Sequence, residues 1–307
     1  MPDRAPEITG FESATIRVGE IELHYWLGGD PAGEPVLLWH GFLGTGYVWR
    51  KVMTILADAG LAVLVPDMRG HGDSDKPGGI DGYDNRALSE VFRALVAQIG
   101  FGDGRPLTLV AHDMGAPPAL IWAADHPQEI ARLFYMEVPV MLEEVIGQII
   151  TFTPEAMQRG PMWWWITPFA PGFAERMIVG NERAFLSWFF DRPTVTVGAI
   201  EPTTVDEYLR TFSGTEGVLG ALGVYRAIFI SMDQTAPLRS APVSVPVVAL
   251  GGERSQGARI GQMVGMVASE VETGVVPAAG HFLPEETPEE IAAYVVDAVS
   301  ANQTRGS

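Results

Sequence analysis

One aspartate stands where the local sequence favours a reactive side chain. Asp113 lies in VAHDMGAPPAL, where the buried strand pattern LTLVAHD turns tightly into the start of a helix. Gly115 permits close packing at this turn, and Pro117 suits the first turn of a helix. A side chain held there projects above the carboxyl edge of a sheet, beside a helix N-terminus that stabilises negative charge. The stretch has the form of the G-x-S-x-G elbow that presents a nucleophile, with Asp in place of Ser, although an Asp that only caps the helix is the alternative.

Two later residues complete a triad in the order nucleophile, acid, histidine. Glu137 ends the next strand pattern in YMEVP, and His281 follows the last one in AAGHFLPEE. The stretch WHGFLG ends an earlier strand, so the backbone N–H groups of Phe42 and Met114 could converge on one oxygen as an oxyanion hole. Because the chain contains no G-x-S-x-G, no serine competes with Asp113 for the role of nucleophile.

The elements that must position these residues form an alternating pattern. Short apolar runs recur as VLLWHG (36–41), AVLVPD (62–67), LTLVAHD (107–113), RLFYMEVP (132–139), PVVALGGE (246–253) and ETGVVPAAGH (272–281). Such runs are typical of parallel strands buried on both faces. Helical patterns separate them, and ATIRVGEIELHYWLGG predicts an opening hairpin that turns at Gly19 and Glu20. We therefore predict an α/β fold with a mostly parallel, doubly wound sheet.

The alternation breaks between about 140 and 240. This segment is rich in aromatic residues and Met, and NERAFLSWFFDR and TVDEYLRTFSG are helical patterns without paired strands. They predict a helical cap (140–240) inserted between two parts of the core (1–139 and 241–307).

Composition excludes several classes of function. The net charge of −18, from 20 basic and 38 acidic residues, argues against nucleic acid or an anionic membrane as a partner. The absence of cysteine excludes disulfides and thiolate chemistry. The N-terminus carries no apolar signal region and no run of 18 apolar residues occurs, so we expect a soluble, cytoplasmic protein. No spacing of His, Asp and Glu resembles a metal site, so we expect no metal or cofactor. A homodimer is compatible with the sequence.

The motifs HGF, DMRGHGDSDKP, HDMG and GHFLPEE resemble the epoxide hydrolase and haloalkane dehalogenase branch of the α/β-hydrolase superfamily, and the resemblance covers nearly the whole chain. The resemblance implies that the predicted sheet is that of an α/β-hydrolase fold. ARLFYMEVP, GNERAFLSWFF and VYRA are similar to the Cif-like group of bacterial epoxide hydrolases. That group places its relay acid after a YMEAP-type strand, which implies Glu137, whereas many relatives place it where Glu253 stands. The family's oxyanion loop commonly reads H-G-F-P, and here Leu43 replaces the proline.

A carboxylate at the elbow suits a saturated carbon better than an acyl carbon. It is ionised at neutral pH without help, since the usual pKa of an aspartate side chain is about 3.9, and it can form an alkyl–enzyme ester. His281 is then free to act as the general base that activates the water for hydrolysis of the ester. Glu137 would orient the imidazole and stabilise its protonated form.

The leaving group separates epoxides from halides. Tyr225, in LGVYRAIF, matches the cap tyrosine of epoxide hydrolases, and its hydroxyl could protonate the alkoxide. Trp165 (or Trp164, in a register shifted by one) stands where a second His or Tyr donor is expected. An indole can donate a hydrogen bond but cannot deliver a proton, so Tyr225 acts alone, Tyr47 or Tyr83 assists, or the leaving group is a halide.

Residues beside the nucleophile favour the epoxide. Met114 stands where haloalkane dehalogenases typically place Trp, and Phe42 stands where many carry Asn. Met114 and Pro118 cannot hold a substrate carboxylate, as the arginines of fluoroacetate dehalogenases do. We predict hydrolysis of an apolar epoxide by water, with Phe42, Met114, Trp164 and Trp165 lining the substrate pocket. A haloalkane-type dehalogenase that uses the same Asp and a non-catalytic ligand-binding homologue are the alternatives.

Overall fold

An eight-stranded sheet organises the part of the chain that the computed structural model describes, residues 4–150, 153–154 and 170–305. Its strands are β1 (Phe11–Val18), β2 (Ile21–Gly29), β3 (Pro35–Trp39), β4 (Ala62–Pro66), β5 (Leu107–His112), β6 (Ile130–Met136), β7 (Val247–Gly252) and β8 (Val271–Val276). Their order across the sheet is β1-β2-β4-β3-β5-β6-β7-β8. β2 is antiparallel to both of its neighbours, and all the other pairs are parallel.

The described helices are α1 (Arg50–Asp58), α2 (Asn85–Ile99), α3 (Ala116–Asp125), α4 (Glu143–Ile150), α5 (Phe173–Ile178), α6 (Glu182–Asp191), α7 (Pro202–Phe212), α8 (Gly214–Arg226), α9 (Ile228–Thr235), α10 (Arg259–Val264), α11 (Leu283–Glu286) and α12 (Pro288–Arg305). The ends of α2 follow from its capping residues. The side chain of Asp84 accepts a hydrogen bond from the N–H of Ala87 at its start, and Gly100 ends it with a φ of 69°.

The predicted α/β-hydrolase fold with a mostly parallel sheet is confirmed. All residues of β3, β4, β5 and β7 are buried, as their continuous apolar runs indicate. The expectation of burial on both faces is wrong for β8. This strand lies at the edge of the sheet, so side chains such as Val275, which is 40% exposed, meet solvent.

Between β6 and β7, the described residues form the helices α4 to α9 and the turns that join them. These helices contact loops that follow parallel strands. The ring of Phe190 in α6 packs against that of Phe282, just after His281, with 5.0 Å between centroids. Arg210 in α7 pairs with Asp73 in the loop after β4, at 2.5 Å. The helices therefore lie over the carboxyl edge of the sheet, and we propose that they form the cap. Within the described ranges, every helix is too short or too polar to cross a membrane.

Asp67 joins three segments beneath this edge. It follows β4 and is almost completely buried. One carboxylate oxygen accepts hydrogen bonds from Nδ1 of His24 (2.8 Å) and the N–H of Asp73 (2.9 Å), and the other accepts from the N–H of Gly46 (2.6 Å). Burial alone would raise the pKa of Asp67, but the charge and hydrogen bond of His24, helped by His40 and the Gly46 N–H, lower it to about 2.

Asp67→Asn tests this junction. We expect the free energy of unfolding at pH 7 to fall by about 3 kcal/mol, because a buried charged partner is removed. The pKa of Asp67 is about 2 in the folded chain and about 3.9 when unfolded, so its contribution is complete above pH 4 and is lost as pH falls towards 2. Urea unfolding at several pH values should show the two proteins converging between pH 4 and 2. Asp58→Asn, an exposed control, should differ from the wild type by less than about 0.5 kcal/mol. A constant difference down to pH 2 would contradict this account.

Candidate active site

The elbow after β5 holds Asp113 in a strained conformation. Asp113 has a φ of 50°, in the left-handed region, and is 8% exposed. Close backbone contacts enforce this position. A Cβ atom on Gly41 would lie 2.4 Å from Cβ of Asp113, and one on Gly115 would lie 2.3 Å from the carbonyl oxygen of His40. Glycine is therefore required at both positions, because a side chain at Gly41 would collide with Asp113 and one at Gly115 would collide with the backbone of His40.

The loop after β3 supplies a donor to this carboxylate. The N–H of Phe42 donates to Oδ1 of Asp113 at 2.7 Å, and the backbone of Met114 also hydrogen-bonds the Asp113 side chain. Both backbone groups expected from the sequence thus lie at Asp113. Leu43 has a φ of 61°, which the ring of proline cannot adopt. The loop therefore turns with a backbone different from one that carries proline at this position.

The loop after β8 brings His281 between two carboxylates. Its Nε2 lies 3.4 Å from Oδ2 of Asp113, and its Nδ1 lies 3.1 Å from Oε2 of Glu137. The Nδ1–H donates to Glu137, which leaves Nε2 directed at Asp113. The two oxygens of Asp113 therefore have different neighbours, the Phe42 N–H at Oδ1 and the imidazole at Oδ2.

Glu137 is held for this contact by its own set of donors. It follows β6 with a φ of 63°, and its side chain is fully buried. Oε1 accepts from the N–H of Gly252 at 2.6 Å, and Oε2 accepts from the hydroxyl of Ser255 at 2.6 Å. Glu253, the rival acid, is exposed and its carboxylate accepts from the N–H of Ala278 instead. The structure thus places Glu137 and not Glu253 at His281.

The two carboxylates change the protonation of the imidazole. Burial lowers the pKa of His281, but the hydrogen bonds and charges of Asp113 and Glu137 raise it to about 10. Burial raises the pKa of Asp113, but the hydrogen bond and charge of His281 bring it below its usual value. At neutral pH the unreacted site therefore holds a charged pair, the Asp113 carboxylate and the His281 imidazolium.

Two neutral histidines fix the loops around this pair. Nε2 of His112 donates to the carbonyl oxygen of His281 at 2.7 Å. Burial, with the charge of His281, lowers the pKa of His112 to about 4. Nδ1 of His40 donates to the carbonyl of Gly41 at 2.9 Å, and its Nε2 accepts from the N–H of Met68 at 2.8 Å. These contacts hold the loops that carry Gly41 and His281.

Aromatic side chains cover the site from the inserted helices. Tyr225, in α8, is 1% exposed, and its ring packs edge-on against Phe42 with 4.5 Å between centroids. Phe189, in α6, packs against the same ring at 5.5 Å. One alternative donor is engaged elsewhere, because the hydroxyl of Tyr83 donates to the carbonyl of Pro77 at 2.7 Å. The ring of the other, Tyr47, lies beneath the guanidinium of Arg50. Trp164 and Trp165 lie outside the described residues.

A second cluster has the residue types of a metal site. Among the described residues, His24, Asp67 and Asp73 bring ligand atoms within 4.8 Å of one another. These atoms already have partners, because His24 and Asp67 bond each other at 2.8 Å and Asp73 pairs with Arg210 at 2.5 Å. A cation would have to displace Arg210, so the donor set fits the structural junction described above better than a metal ion.

Known proteins resemble this chain over most of its length. The family model of the alpha/beta hydrolase fold matches residues 34–161. Epoxide hydrolase A of Mycobacterium tuberculosis is 27% identical, over 90% of this chain and 94% of its own. The soluble epoxide hydrolase of a Corynebacterium species is 28% identical, over 90% and 91%. The crystal structure of wild-type Cfl2 from Burkholderia cenocepacia is 31% identical, with a TM-score of 0.86 over 96% of this chain and 97% of its own.

Asp113→Asn tests the electrostatic coupling in the site. The pKa of His281 is about 10 in the folded chain and about 6.5 when unfolded, so the stability that it contributes is complete below pH 6.5 and is lost as pH rises through 10. Removing the Asp113 charge should lower the pKa of His281 and make this alkaline loss smaller. An NMR titration of the imidazole and urea unfolding between pH 6 and 10 measure both effects. An unchanged pKa of His281 in this variant would mean that the Asp113 carboxylate does not keep the imidazole protonated.

Proposed function

This chain belongs to the α/β-hydrolase family, and from that premise we propose that it is an epoxide hydrolase that converts apolar epoxides to diols. The observation that carries the proposal is the unequal environment of the two Asp113 oxygens. Oδ1 accepts the N–H of Phe42 at 2.7 Å, whereas Oδ2 lies 3.4 Å from Nε2 of His281. Such a carboxylate has one oxygen to attack with and another already in an oxyanion hole.

In the first step, Oδ2 of Asp113 attacks an epoxide carbon. A carbon–oxygen bond of the ring breaks, an ester bond to Asp113 forms, and the ring oxygen leaves as an alkoxide. The hydroxyl of Tyr225 gives its proton to this alkoxide, which is too basic to leave unassisted. The lowered pKa of Asp113 keeps the nucleophile ionised.

The ester changes the charge of His281. Esterification removes the negative charge of Asp113, and with it the largest of the contributions that raise the pKa of His281, so that this pKa falls. The imidazole then loses its proton to solvent, which reaches 14% of its side-chain surface. It is now a neutral base, whereas in the unreacted site it is a cation.

In the second step, Nε2 of His281 takes a proton from a water molecule and the hydroxide attacks Cγ of Asp113. The negative charge that develops on Oδ1 is stabilised by the N–H groups of Phe42 and Met114. The tetrahedral intermediate collapses and the ester bond breaks. The departing alkoxide takes the proton of the Asp113 carboxylic acid and leaves as the diol, and the Tyr225 phenolate takes back a proton from solvent, which restores the charged Asp113–His281 pair. Glu137 stabilises the imidazolium during this step, as the acid of a triad does.

The surroundings of Asp113 support an epoxide of apolar character. The side chains of Phe42, Phe189 and Tyr225 pack together beside the nucleophile, and they offer one hydroxyl and no cation. Two of the relatives that match nine-tenths of this chain are named epoxide hydrolases. A halide would need no proton, so a tyrosine hydroxyl at this place favours the epoxide.

His281→Gln tests the two-step reaction. Ester hydrolysis should slow by about 10²- to 10⁴-fold without its general base, while alkylation continues. Intact-mass spectrometry after exposure to a panel of aryl epoxides and alkyl bromides should therefore show an adduct that carries the whole mass of an epoxide. The double variant Asp113→Asn/His281→Gln is the control and should form no adduct. If only the alkyl bromides form an adduct, and this adduct lacks bromine, the protein is a dehalogenase. Turnover by Asp113→Ala would overturn the assignment of Asp113 as the nucleophile.

Tyr225→Phe tests the proton donor. Ring opening should slow by about 10²- to 10⁴-fold, because the alkoxide loses its acid. Any displacement of bromide by Asp113 should change little, since bromide leaves as a weak base. Rapid-quench measurement of alkylation separates the two substrates. Tyr47→Phe is the matched control and should leave alkylation intact; if it produces the larger loss, Tyr225 is not the donor.

A further inference from the structure

The side chain of Glu286 binds backbone groups on both sides of His281. In α11, its Oε1 accepts from the N–H of Phe282 at 3.1 Å, and its Oε2 accepts from the N–H of Gly280 at 3.1 Å. Oε2 also accepts from the N–H groups of Val195 (2.8 Å) and Thr196 (3.0 Å), in the segment that follows α6. One carboxylate, 8% exposed, thus binds four backbone N–H groups in two loops.

We propose that Glu286 is a positioning residue. It fastens the loop of His281 to residues 193–196 of the inserted segment and so keeps the imidazole aligned with Asp113. The proposal rests on the function proposed above. Glu286 touches neither reacting oxygen. It acts through the residues that precede and follow His281.

The surrounding contacts have the same effect on the backbone of His281. Its N–H donates to the carbonyl of Pro193 at 3.1 Å, and its carbonyl oxygen accepts from His112 at 2.7 Å. Gly280 approaches so closely that a Cβ there would lie 2.2 Å from the Pro193 oxygen. The backbone of His281 is therefore determined by both the core and the inserted segment, and the carboxylate of Glu286 joins the two beside it.

Glu285, the preceding residue, provides a built-in comparison. Its carboxylate pairs with Arg50 and with Nζ of Lys51 (3.0 Å) in α1, and accepts from the hydroxyl of Tyr208 (3.2 Å) in α7. It also joins the core to the inserted helices, but none of these partners lies in the loop of His281. Loss of Glu285 and loss of Glu286 should therefore loosen the same junction with different consequences for the base.

Glu286 should matter for one chemical step more than the other. Alkylation depends on Asp113, which β5 and the N–H of Phe42 hold without help from α11. Ester hydrolysis depends on where the imidazole places its water, and a displacement of 1 Å can cost about 10²-fold in rate. A general weakening of the fold would slow both steps or neither.

Glu286→Gln keeps the shape of the side chain and removes part of its bonding. Glutamine has one acceptor oxygen and one NH₂ group. If its oxygen takes the place of Oε2, the NH₂ group faces the N–H of Phe282, donor against donor. The hydrogen bond from the N–H of Phe282 is then lost, while those from Val195, Thr196 and Gly280 persist.

The experiment compares the wild type with Glu286→Gln, Glu285→Gln and the exposed control Glu289→Gln. Rapid-quench mass spectrometry with an aryl epoxide measures alkylation and ester hydrolysis separately, and thermal unfolding measures stability. For Glu286→Gln we expect hydrolysis to slow by about 10- to 100-fold with alkylation changed less than about twofold, so that the ester accumulates. Glu285→Gln should not shift this ratio, and Glu289→Gln should leave both steps unchanged.

Equal slowing of both steps in Glu286→Gln, or a lower Tm with an unchanged ratio, would overturn the positioning role. If Glu286→Gln does not fold, Glu286→Asp serves instead. Aspartate retains the charge but is one methylene too short to span both loops, so this variant should also accumulate the ester. An unchanged ratio of hydrolysis to alkylation in Glu286→Asp would also overturn the positioning role. A wild type that opens no epoxide would refute the proposed function, whereas a wild type that turns over normally confines a negative result to Glu286.

Discussion

The charged contact between Asp113 and His281, closed on the far side by Glu137, is the constraint around which the rest of this structure is arranged. Burying three titratable groups together is costly unless each finds partners. The partners here are mostly backbone N–H groups and a serine hydroxyl, delivered by loops that end different strands. The edge of the parallel sheet makes this arrangement attainable, because it brings those loop ends together at one place.

Strain in the backbone is concentrated at the same edge. Among the described residues, five other than glycine have a positive φ, and four of them follow strands here: Leu43, Asp113, Glu137 and Ala278. Conformations of this kind persist only where surrounding contacts determine them. The close approaches of Gly41 and Gly115 and the junction at Asp67 supply such contacts. These strained conformations lower the stability of the fold, and they hold the side chains of the site in place.

The same charges that hold the site together also suit a reaction in two stages. A permanent carboxylate keeps its neighbouring imidazole protonated, which would be a fault in a serine enzyme, where the histidine must act first as a base. An aspartate nucleophile needs no base for its attack. Formation of an ester would cancel the charge that protonates His281, so the base would become available when it is needed. The base acts only if the imidazole stays in place through both steps. Because we propose that Glu286 fastens the His281 loop to the inserted segment, this segment would support the chemistry as well as cover the site.

The sequence by itself determined the α/β fold and the elbow at Asp113, because apolar periodicity and turn chemistry are local properties that can be counted along the chain. Its motifs indicated the family by resemblance. It also singled out Glu137 and His281 as candidates. Only the tertiary structure decided that Glu137 and not Glu253 meets the imidazole, since residues separated by 144 positions come together through strand order and loop path. The exposure of β8 at the sheet edge and the four bonds of Glu286 were likewise invisible in the sequence. The apolar pattern of an edge strand resembles that of a buried strand. The sequence around Glu286 does not show which backbone N–H groups its carboxylate will bind, because those groups belong to loops that meet only in the folded chain.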